Sequence, residues 1–103
     1  LADWGADVVK VEPPGIGDPA RTFQQMLGGD LPFNPVFEND NRGKRSIVID
    51  WTTDEGCALA LELIDGADVF VSNIRQDALR RFGFDPDSLA KRNRRVIYCA
   101  ITG

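Results

Sequence analysis

The stretch RSIVIDWTTDEGCALALELIDGADVFVSN, residues 45–73, places a helix-like segment between two strand-like segments. Ser-Ile-Val-Ile and Val-Phe-Val are runs of β-branched and aromatic residues of the kind that form buried strands. Four apolar residues between them have the i, i+3, i+4, i+7 spacing of one helix face: Cys57, Ala60, Leu61 and Ile64. Strand, helix and strand in this order predict parallel strands with helices packed on their faces.

Both ends of this predicted helix carry local signals. Thr52 and Glu55 have the Thr-x-x-Glu spacing of a capping box, in which each side chain bonds the backbone N–H of the other residue. Gly66 follows the last apolar position and is a typical helix stop. We therefore expect the helix to begin next to Thr52 and to end at Gly66.

Two further strands are predicted outside the opening stretch. Residues 8–11 are a valine-rich run that Pro13-Pro14 must end, because proline cannot donate a hydrogen bond to a sheet. Residues 96–101 are almost continuously apolar, as expected of a strand covered on both faces. Residues 12–45 show little periodicity and are predicted to be a long connection.

Short helices complete the expected fold. Residues 77–82 form one, and Asp85-Pro86 gives a cap followed by proline at the first position of another, which Leu89 anchors. The sequence thus predicts an α/β fold, with a Rossmann-like, mostly parallel sheet and flanking helices. Ligands of such sheets bind at the carboxyl ends of the strands.

The composition is that of a globular domain, with 43% hydrophobic and 27% charged residues among 103. The net charge is −4, yet ten of the twelve Lys and Arg residues lie between Arg42 and Arg95. General nucleic-acid binding requires many spread cations, so this distribution argues against it. A confined basic region suits one small anionic ligand.

Metal and membrane sites are not expected. Cys57 and Cys99 lack CxxC spacing, and the chain contains no histidine that could complete a zinc site. The longest apolar run is far shorter than the roughly 20 residues of a membrane span, and the chain shows no signal peptide. We therefore predict a cytoplasmic protein with reduced thiols.

The best candidate for a ligand contact is Ser72-Asn73-Ile74-Arg75, directly after the third predicted strand. The Asn73 amide offers donors and an acceptor, Arg75 a permanent charge, and the start of the next helix free backbone N–H groups. A phosphate would be stabilised there. The alternative, which spacing leaves equally open, is that Asn73 caps a turn and Arg75 lies in solvent.

Other polar and aromatic residues have simpler interpretations beside the functional ones. Arg81 could pair with phosphate oxygens through its planar fork, but spacing alone favours exposure to solvent. Trp51 stands at a strand end where an adenine ring could stack, although aromatic residues more often pack. Glu12 and Asp50 could act as acids or bases, and holding loops is the simpler interpretation. The sequence contains no GxGxxG motif and no Walker loop.

Four segments carry a resemblance to a known family: GADVVKVEPPGIGDPAR (5–21), NRGKRSIVIDWTTDEG (41–56), ADVFVSNIRQDALRRFG (67–83) and NRRVIYCAITG (93–103). In order and spacing they resemble the class III CoA-transferases. This family is also called CaiB/BaiF and includes formyl-CoA transferase, carnitine CoA-transferase and the 2-methylacyl-CoA racemases. The resemblance covers essentially the whole chain.

The same resemblance implies a partial N-terminal CoA-binding α/β domain over residues 1–103, truncated at both ends. Family members begin with a further strand and helix and continue well beyond the fourth segment. The opening Leu-Ala-Asp-Trp-Gly agrees with this expectation, because it reads as the last turn of a helix that stops at Gly5.

For function, the resemblance implies an enzyme that moves CoA from an acyl-CoA to a carboxylic acid through an aspartyl-CoA thioester. The catalytic aspartate would lie beyond the family's equivalent of Gly103, so no catalytic residue is expected here and the fragment alone should be inactive. CoA is the implied acyl carrier, without a metal, and the full-length family members are interlocked homodimers. Two alternatives stay open: a racemase-type isomerase, with a downstream His and Asp, and a stand-alone binding module.

The family's CoA pocket carries over where residues match. The segment after the second strand would lie along the adenosine portion of CoA. The segment after the third strand would line the nucleotide, and an arginine six residues after that segment would contact CoA. The matching residues are Ile49, Asp50, Trp51, Thr52, Asn73, Ile74, Arg75 and Arg81.

Three positions depart from the family pattern. Some relatives have an arginine for the nucleotide where this chain has Pro13. The family's Glu-Asn-Phe is Ser72-Asn73-Ile74 here, and its Pro-Gly is Gln76-Asp77. The first change affects one expected phosphate contact, whereas the other two alter the shape of the pocket and keep Asn73.

Overall fold

The computed structural model describes residues 1–23 and 31–102, and the chain divides into two compact units, Leu1–Asp50 and Trp51–Gly103. In each unit helices alternate with short parallel strands, so the predicted α/β class is confirmed. The Rossmann-like character of the sheet and the truncation of the domain stay predictions.

The first unit is built on two parallel strands, β1 (Val9–Glu12) and β2 (Arg45–Val48). A 3-10 helix, Ala2–Trp4, precedes β1 and ends at Gly5. The φ of Gly5 is 92°, in the left-handed region that only glycine adopts at little cost. The predicted stop at Gly5 is therefore confirmed.

Two helical segments lie between β1 and β2, where the sequence predicts only a connection. A 3-10 helix spans Pro19–Thr22, and α1 spans Pro35–Asn41. The side chain of Asp18 caps the first at 2.8 Å, and that of Asn34 caps the second at 3.1 Å. Asp-Pro and Asn-Pro are signals of a cap followed by proline at the first helical position. They are easily missed here because no apolar repeat follows them.

Among the described residues of this unit, those that contact the β1–β2 pair lie on one of its faces. Lys10 reaches Asn41 of α1 at 2.6 Å, and Glu12 on the same face contacts the connection. The opposite face leaves three apolar side chains 37–40% exposed: Val9, Val11 and Ile47. The prediction of a buried strand is wrong for β2, whose four residues are all exposed, while Ile49 behind it is 5% exposed. A β-branched run favours a strand, but burial also requires a packing partner on each face.

The second unit packs helices on the parallel pair of β3 (Val69–Ser72) and β4 (Ile97–Ala100). The helices are α2 (Asp54–Asp65), α3 (Gln76–Arg81) and α4 (Pro86–Arg92). Its core consists of Ala60, Ile64, Leu79, Phe84 and Leu89. The predicted apolar face of α2 and the predicted anchor Leu89, which is 0% exposed, are both confirmed.

The start of α2 differs from the prediction by one residue. The N-cap is Thr53, whose hydroxyl accepts the Gly56 N–H at 3.1 Å, so the capping box from Thr52 to Glu55 is wrong. Because the third helical residue is Gly56, it has no side chain to return the bond. The predicted stop at Gly66 is confirmed.

The expectation that β4 is covered on both faces is also wrong. Phe70 and Tyr98, which are register partners, pack against the core with ring centroids 5.3 Å apart. On the alternate positions Ile97 is 64% and Val71 48% exposed. The helices of this unit therefore pack on one face of the pair, which matches the period of two along a strand.

Candidate functional site

The segment Asn73-Ile74-Arg75 connects the end of β3 to α3 in the second unit. Ser72, 8% exposed, ends the strand, and its hydroxyl accepts the backbone N–H of Ile74 at 3.1 Å. Arg75 is the N-cap of α3 without a side-chain capping bond. All three residues of the segment are exposed. The turn is thus held by Ser72, which leaves the Asn73 amide outside the turn's own hydrogen bonds and disfavours the interpretation of Asn73 as its cap.

Five of the nine arginines form no ion pair among the described residues, and two of these five lie at the two ends of α3. In the part of the chain that the structure describes, neither Arg75 nor Arg81 forms an ion pair with a carboxylate. Four other arginines hold a carboxylate through two N–H groups: Arg21, Arg42, Arg45 and Arg92. An arginine fork without a protein partner can donate hydrogen bonds to a phosphate or carboxylate of a ligand.

The two adjacent arginines at the end of α3 differ in their surroundings. Arg80 contributes, after the hydrogen bonds from Ser88, to holding the pKa of Asp85 below its ordinary value. Arg81 is the last residue of α3 and is exposed. Because α3 has only six residues, its dipole is small, and the side-chain charges dominate the local field.

Trp51 belongs to the packing of the second unit. Its ring meets Phe82 at 5.2 Å and Phe84 at 5.9 Å between centroids, and both contacts are edge-to-face, with interplanar angles of 89° and 88°. The packing interpretation is thereby confirmed, and stacking on adenine stays a prediction. Since Phe82 directly follows Arg81, these contacts place Trp51 beside the end of α3.

The remaining predicted contacts are placed in both units. Ile49 and Asp50 close the first unit, where the backbone N–H of Ile49 donates to the carbonyl of Glu12 at 3.0 Å. The Ile49 side chain is buried, whereas Asp50 and Thr52 are exposed. The structure therefore presents Asn73, Ile74 and Arg75 on one turn, with Arg81 at the far end of the helix that follows.

A second polar centre lies in the first unit, at the carboxyl end of β1. Glu12 is 2% exposed and accepts from Arg21 Nε at 2.9 Å and Nη2 at 2.8 Å. It also accepts from the Ser46 hydroxyl at 2.8 Å and the Asp18 N–H at 2.9 Å. The bidentate bond from Arg21, opposed by burial, holds the pKa of Glu12 far below its ordinary value. The prediction that Glu12 holds a loop is confirmed.

Further contacts fix the same loop. Lys10 forms an ion pair with Asp18, and this pair lowers the pKa of the Asp18 carboxyl below its ordinary value. The Arg21 guanidinium lies 4.1 Å from the centroid of the Phe37 ring, so it also has a cation–π contact. Neither Arg21 nor Ser46 is singled out by the sequence, because a bond that spans a loop has no periodic signature.

A shallow cavity of about 300 Å³ opens beside this carboxylate. Its lining is Glu12, Pro13, Gly15, Ile16, Gly17, Arg21, Ser46 and Val48. The charge of Arg21 is neutralised by Glu12, so the lining has little net charge and mixes apolar with hydroxyl groups. Such a lining is better suited to an uncharged group than to a phosphate.

Residues 1–23 and 31–102 contain neither a metal-binding group nor a membrane-spanning helix. No group of three or more His, Cys, Asp and Glu side chains is arranged there to hold a metal ion. No helix in these ranges is long and apolar enough to cross a membrane.

Comparisons with known proteins agree with one another. The chain matches the model of CoA-transferase family III over residues 1–103. It is 46% identical to the succinate–glutarate CoA-transferase of Agrobacterium fabrum, over 100% of this chain and 27% of that protein.

Solved structures show the same similarity. The crystal structure of Rv3272 from Mycobacterium tuberculosis has a TM-score of 0.88 at 40% identity, over 100% of this chain and 28% of that chain. A CAIB/BAIF family protein from Brucella suis has a TM-score of 0.86 at 42% identity, again over 100% and 28%. The chain thus spans about a quarter of the length of these relatives. Because the family model matches all 103 residues of this chain, the chain belongs to CoA-transferase family III.

Proposed function

We propose that this chain is the CoA-binding part of an enzyme that transfers CoA between an acyl-CoA and a carboxylic acid. The observation that carries the proposal is the pair of arginines around α3. Arg75 and Arg81 have no carboxylate partner among the described residues, and unlike the equally unpaired Arg94 and Arg95 they lie at the two ends of the helix that follows the β3 turn. Binding of a phosphorylated ligand would supply their missing partners.

CoA has the chemical groups that such a surface requires. Its nucleotide carries phosphates for the arginine forks and an adenine ring with donors and acceptors for the exposed Asn73 amide. We assign Asn73, Ile74 and Arg75 to the nucleotide and Arg81 to a phosphate. We assign the segment from Ile49 to Thr52 to the adenosine portion, as the family resemblance implies.

The proposed reaction is covalent catalysis by an aspartate outside these 103 residues. The aspartate carboxylate attacks the acyl-CoA carbonyl, which forms a mixed anhydride and releases the CoA thiolate. The thiolate then attacks the aspartyl carbonyl of the anhydride, giving an aspartyl-CoA thioester and the free donor acid. The acceptor carboxylate then attacks the aspartyl-CoA thioester, which gives a second mixed anhydride and releases the CoA thiolate. The thiolate attacks the acceptor's carbonyl in this anhydride, which yields the new acyl-CoA and frees the aspartate. The role of this chain is to hold the CoA moiety while the thioester bonds to its sulfur break and form.

The test is a transfer assay on the natural polypeptide that carries this sequence. Succinyl-CoA and glutarate are the first pair to try, because the Agrobacterium fabrum relative is named for those acids. Mass spectrometry should detect glutaryl-CoA, with an equal amount of free succinate. A panel of other carboxylic acids follows if this pair does not react.

The same assay in deuterium oxide separates the alternatives. A racemase-type isomerase would introduce deuterium next to the thioester carbonyl of a 2-methylacyl-CoA without any acceptor acid. A binding module would bind CoA and turn over neither substrate. Either result would replace the transferase proposal.

The assembly and location are part of the proposal. We propose a homodimer in the cytoplasm for the complete protein, as the family resemblance implies. Light scattering on the natural polypeptide tests whether it is a homodimer, and fractionation of the source cells tests whether it is cytoplasmic.

A further inference from the structure

The turn that carries Asn73, Ile74 and Arg75 is held at its first end by Ser72. The Ser72 hydroxyl accepts the Ile74 N–H at 3.1 Å, and the Ser72 carbonyl accepts the Ile101 N–H at 2.9 Å. One residue therefore ties the turn to the chain leaving β4. Because Ser72 is only 8% exposed, water has little access to compete for these bonds.

The other end of the turn is held by Gln76, the first residue of α3. The Tyr98 hydroxyl donates to Gln76 Oε1 at 3.2 Å. Tyr98 lies in β4, where its ring packs against Phe70 and the core. The bond thus joins a fixed aromatic side chain to the start of the helix, immediately after Arg75.

We infer that Ser72 and Gln76 are positioning residues that set the geometry of Asn73-Ile74-Arg75 for its ligand, an inference that rests on the proposed function. Neither side chain needs to touch the ligand. An arginine fork and a carboxamide make their bonds only within narrow limits of angle and distance. A turn fixed at both ends loses less conformational freedom on binding than a loose one.

The backbone around Gln76 is compatible with a proline at this position. Arg75 has φ −57° and ψ 137°, which is close to the polyproline II conformation, and this ψ lies in the range that a residue before proline adopts. Gln76 occupies the first helical position, where proline fits without losing a hydrogen bond. The Tyr98–Gln76 bond holds the start of α3 through a side chain, whereas a proline would hold it through the backbone.

Two variants at Gln76 have opposite expected effects on CoA affinity. Gln76→Ala removes the bond and leaves the turn free at one end. Gln76→Pro also removes the bond but fixes the same backbone covalently. If the Tyr98 contact served only stability, both variants would lower the free energy of unfolding and neither would change the CoA affinity.

The experiment measures CoA affinity by calorimetry, and KM and kcat for the acyl-CoA, in the natural polypeptide. Ser72→Ala, Gln76→Ala and Tyr98→Phe should each raise the CoA Kd and the KM by about three- to tenfold, the size of one hydrogen bond, with kcat nearly unchanged. Gln76→Pro should bind CoA as the wild type does. In the Gln76→Pro background, Tyr98→Phe should have no further effect, because the bond is already absent.

The outcomes separate this inference from the proposed function. If the wild type binds CoA and Gln76→Ala and Tyr98→Phe bind it equally well, the inference is overturned and CoA binding stands. If Gln76→Pro loses as much CoA affinity as Gln76→Ala, the inference is also overturned, because fixing the backbone does not restore binding. If the wild type does not bind CoA, the proposed function fails, and the inference fails with it. Thermal unfolding of every variant checks folding, and the Gln76 and Tyr98 variants decide alone if Ser72→Ala does not fold.

Discussion

The buried carboxylate of Glu12 holds the guanidinium of Arg21 through both of its oxygens, at 2.9 and 2.8 Å. The two residues stand at the two ends of a proline- and glycine-rich loop. Bidentate arginine–carboxylate pairs combine charge with a fixed orientation. In this chain the pair closes the loop after β1, and the Ser46 hydroxyl joins it to β2.

Glu12 should make the stability of the protein depend on pH in the acid range. The folded state lowers the pKa of Glu12 from 4.5, so the unfolded chain takes up this proton at a higher pH than the folded one. The stabilisation is therefore complete above the unfolded pKa and is lost as the pH falls toward the folded pKa. Near neutral pH, Glu12→Gln should lower the free energy of unfolding by about 1–3 kcal/mol.

Urea unfolding of the natural polypeptide at several pH values measures this difference. The gap between wild type and Glu12→Gln should narrow as the pH falls below 4.5. Asp7→Asn is the control, because the Asp7–Arg45 pair is 74% and 68% exposed and should contribute less than about 1 kcal/mol. A gap that stays constant down to low pH would show that the charge of Glu12 does not stabilise the fold.

Gly17 should be less replaceable than Gly15, although both have positive φ, of 67° and 86°. A Cβ on Gly17 would lie 2.6 Å from Glu12 Oε2, whereas a Cβ on Gly15 meets no atom within 4 Å. Gly15→Ala should therefore lower the free energy of unfolding only by the cost of a side chain at positive φ, about 1–2 kcal/mol. Gly17→Ala should be destabilised by the same amount and should also displace the Glu12 carboxylate from Arg21, which lowers the free energy of unfolding further.

Thermal and urea unfolding of the two alanine variants compare them directly. The Gly17 variant should also show a weaker dependence on acid pH, because Glu12 can no longer hold its pKa as low. Equal destabilisation by both variants would contradict the close approach of Gly17 to Glu12.

Leu89 should be the most sensitive leucine of the second unit, since it is 0% exposed within the core. Leu89→Ala removes buried contacts and leaves a cavity, which costs about 2–5 kcal/mol. Leu59 lies on α2 and is 53% exposed, so Leu59→Ala should change stability by no more than about 0.5 kcal/mol. Urea unfolding monitored by circular dichroism distinguishes the two, and similar midpoints would place Leu89 outside the core.

Local signals in the sequence were sufficient for most elements of the second unit. Gly66, Asp85-Pro86 and Leu89 act through their own backbone preferences or through one helix face, so their roles can be read without knowing the fold. The cap at Thr53 was missed by one residue because Thr52 and Thr53 are chemically alike, and only the helix start decides between them.

The side-chain contacts in the polar centre of the first unit have no signal in the sequence. Glu12 bonds Arg21 across a loop and Ser46 on another strand, and neither spacing matches a helical or strand period. Coverage of the strands is likewise a property of what packs on them. The apolar run of β2 therefore predicted the strand correctly and its burial incorrectly.

The arginines near α3 provide the most direct test of the proposed site. Arg75→Ala and Arg81→Ala should each weaken CoA binding by about 1–3 kcal/mol, as expected for the loss of charge-assisted hydrogen bonds. Both side chains are exposed and have no carboxylate partner among the described residues, so their removal should leave the unfolding free energy nearly unchanged. Loss of affinity without loss of stability is therefore the expected combination.

Arg94→Ala is the matched control, because Arg94 is also exposed and lies outside the turn and α3. It removes the same charge from the same unit, so a general attraction of CoA to positive charge would weaken binding in all three variants alike. Calorimetry at low and at high salt strengthens the comparison, since screening reduces the general attraction more than a direct bond. If Arg94→Ala weakens binding as much as Arg75→Ala does, the site is not on this turn. If only the Arg75 and Arg81 variants lose affinity, the two arginines at the ends of α3 are the ones that hold the CoA phosphates.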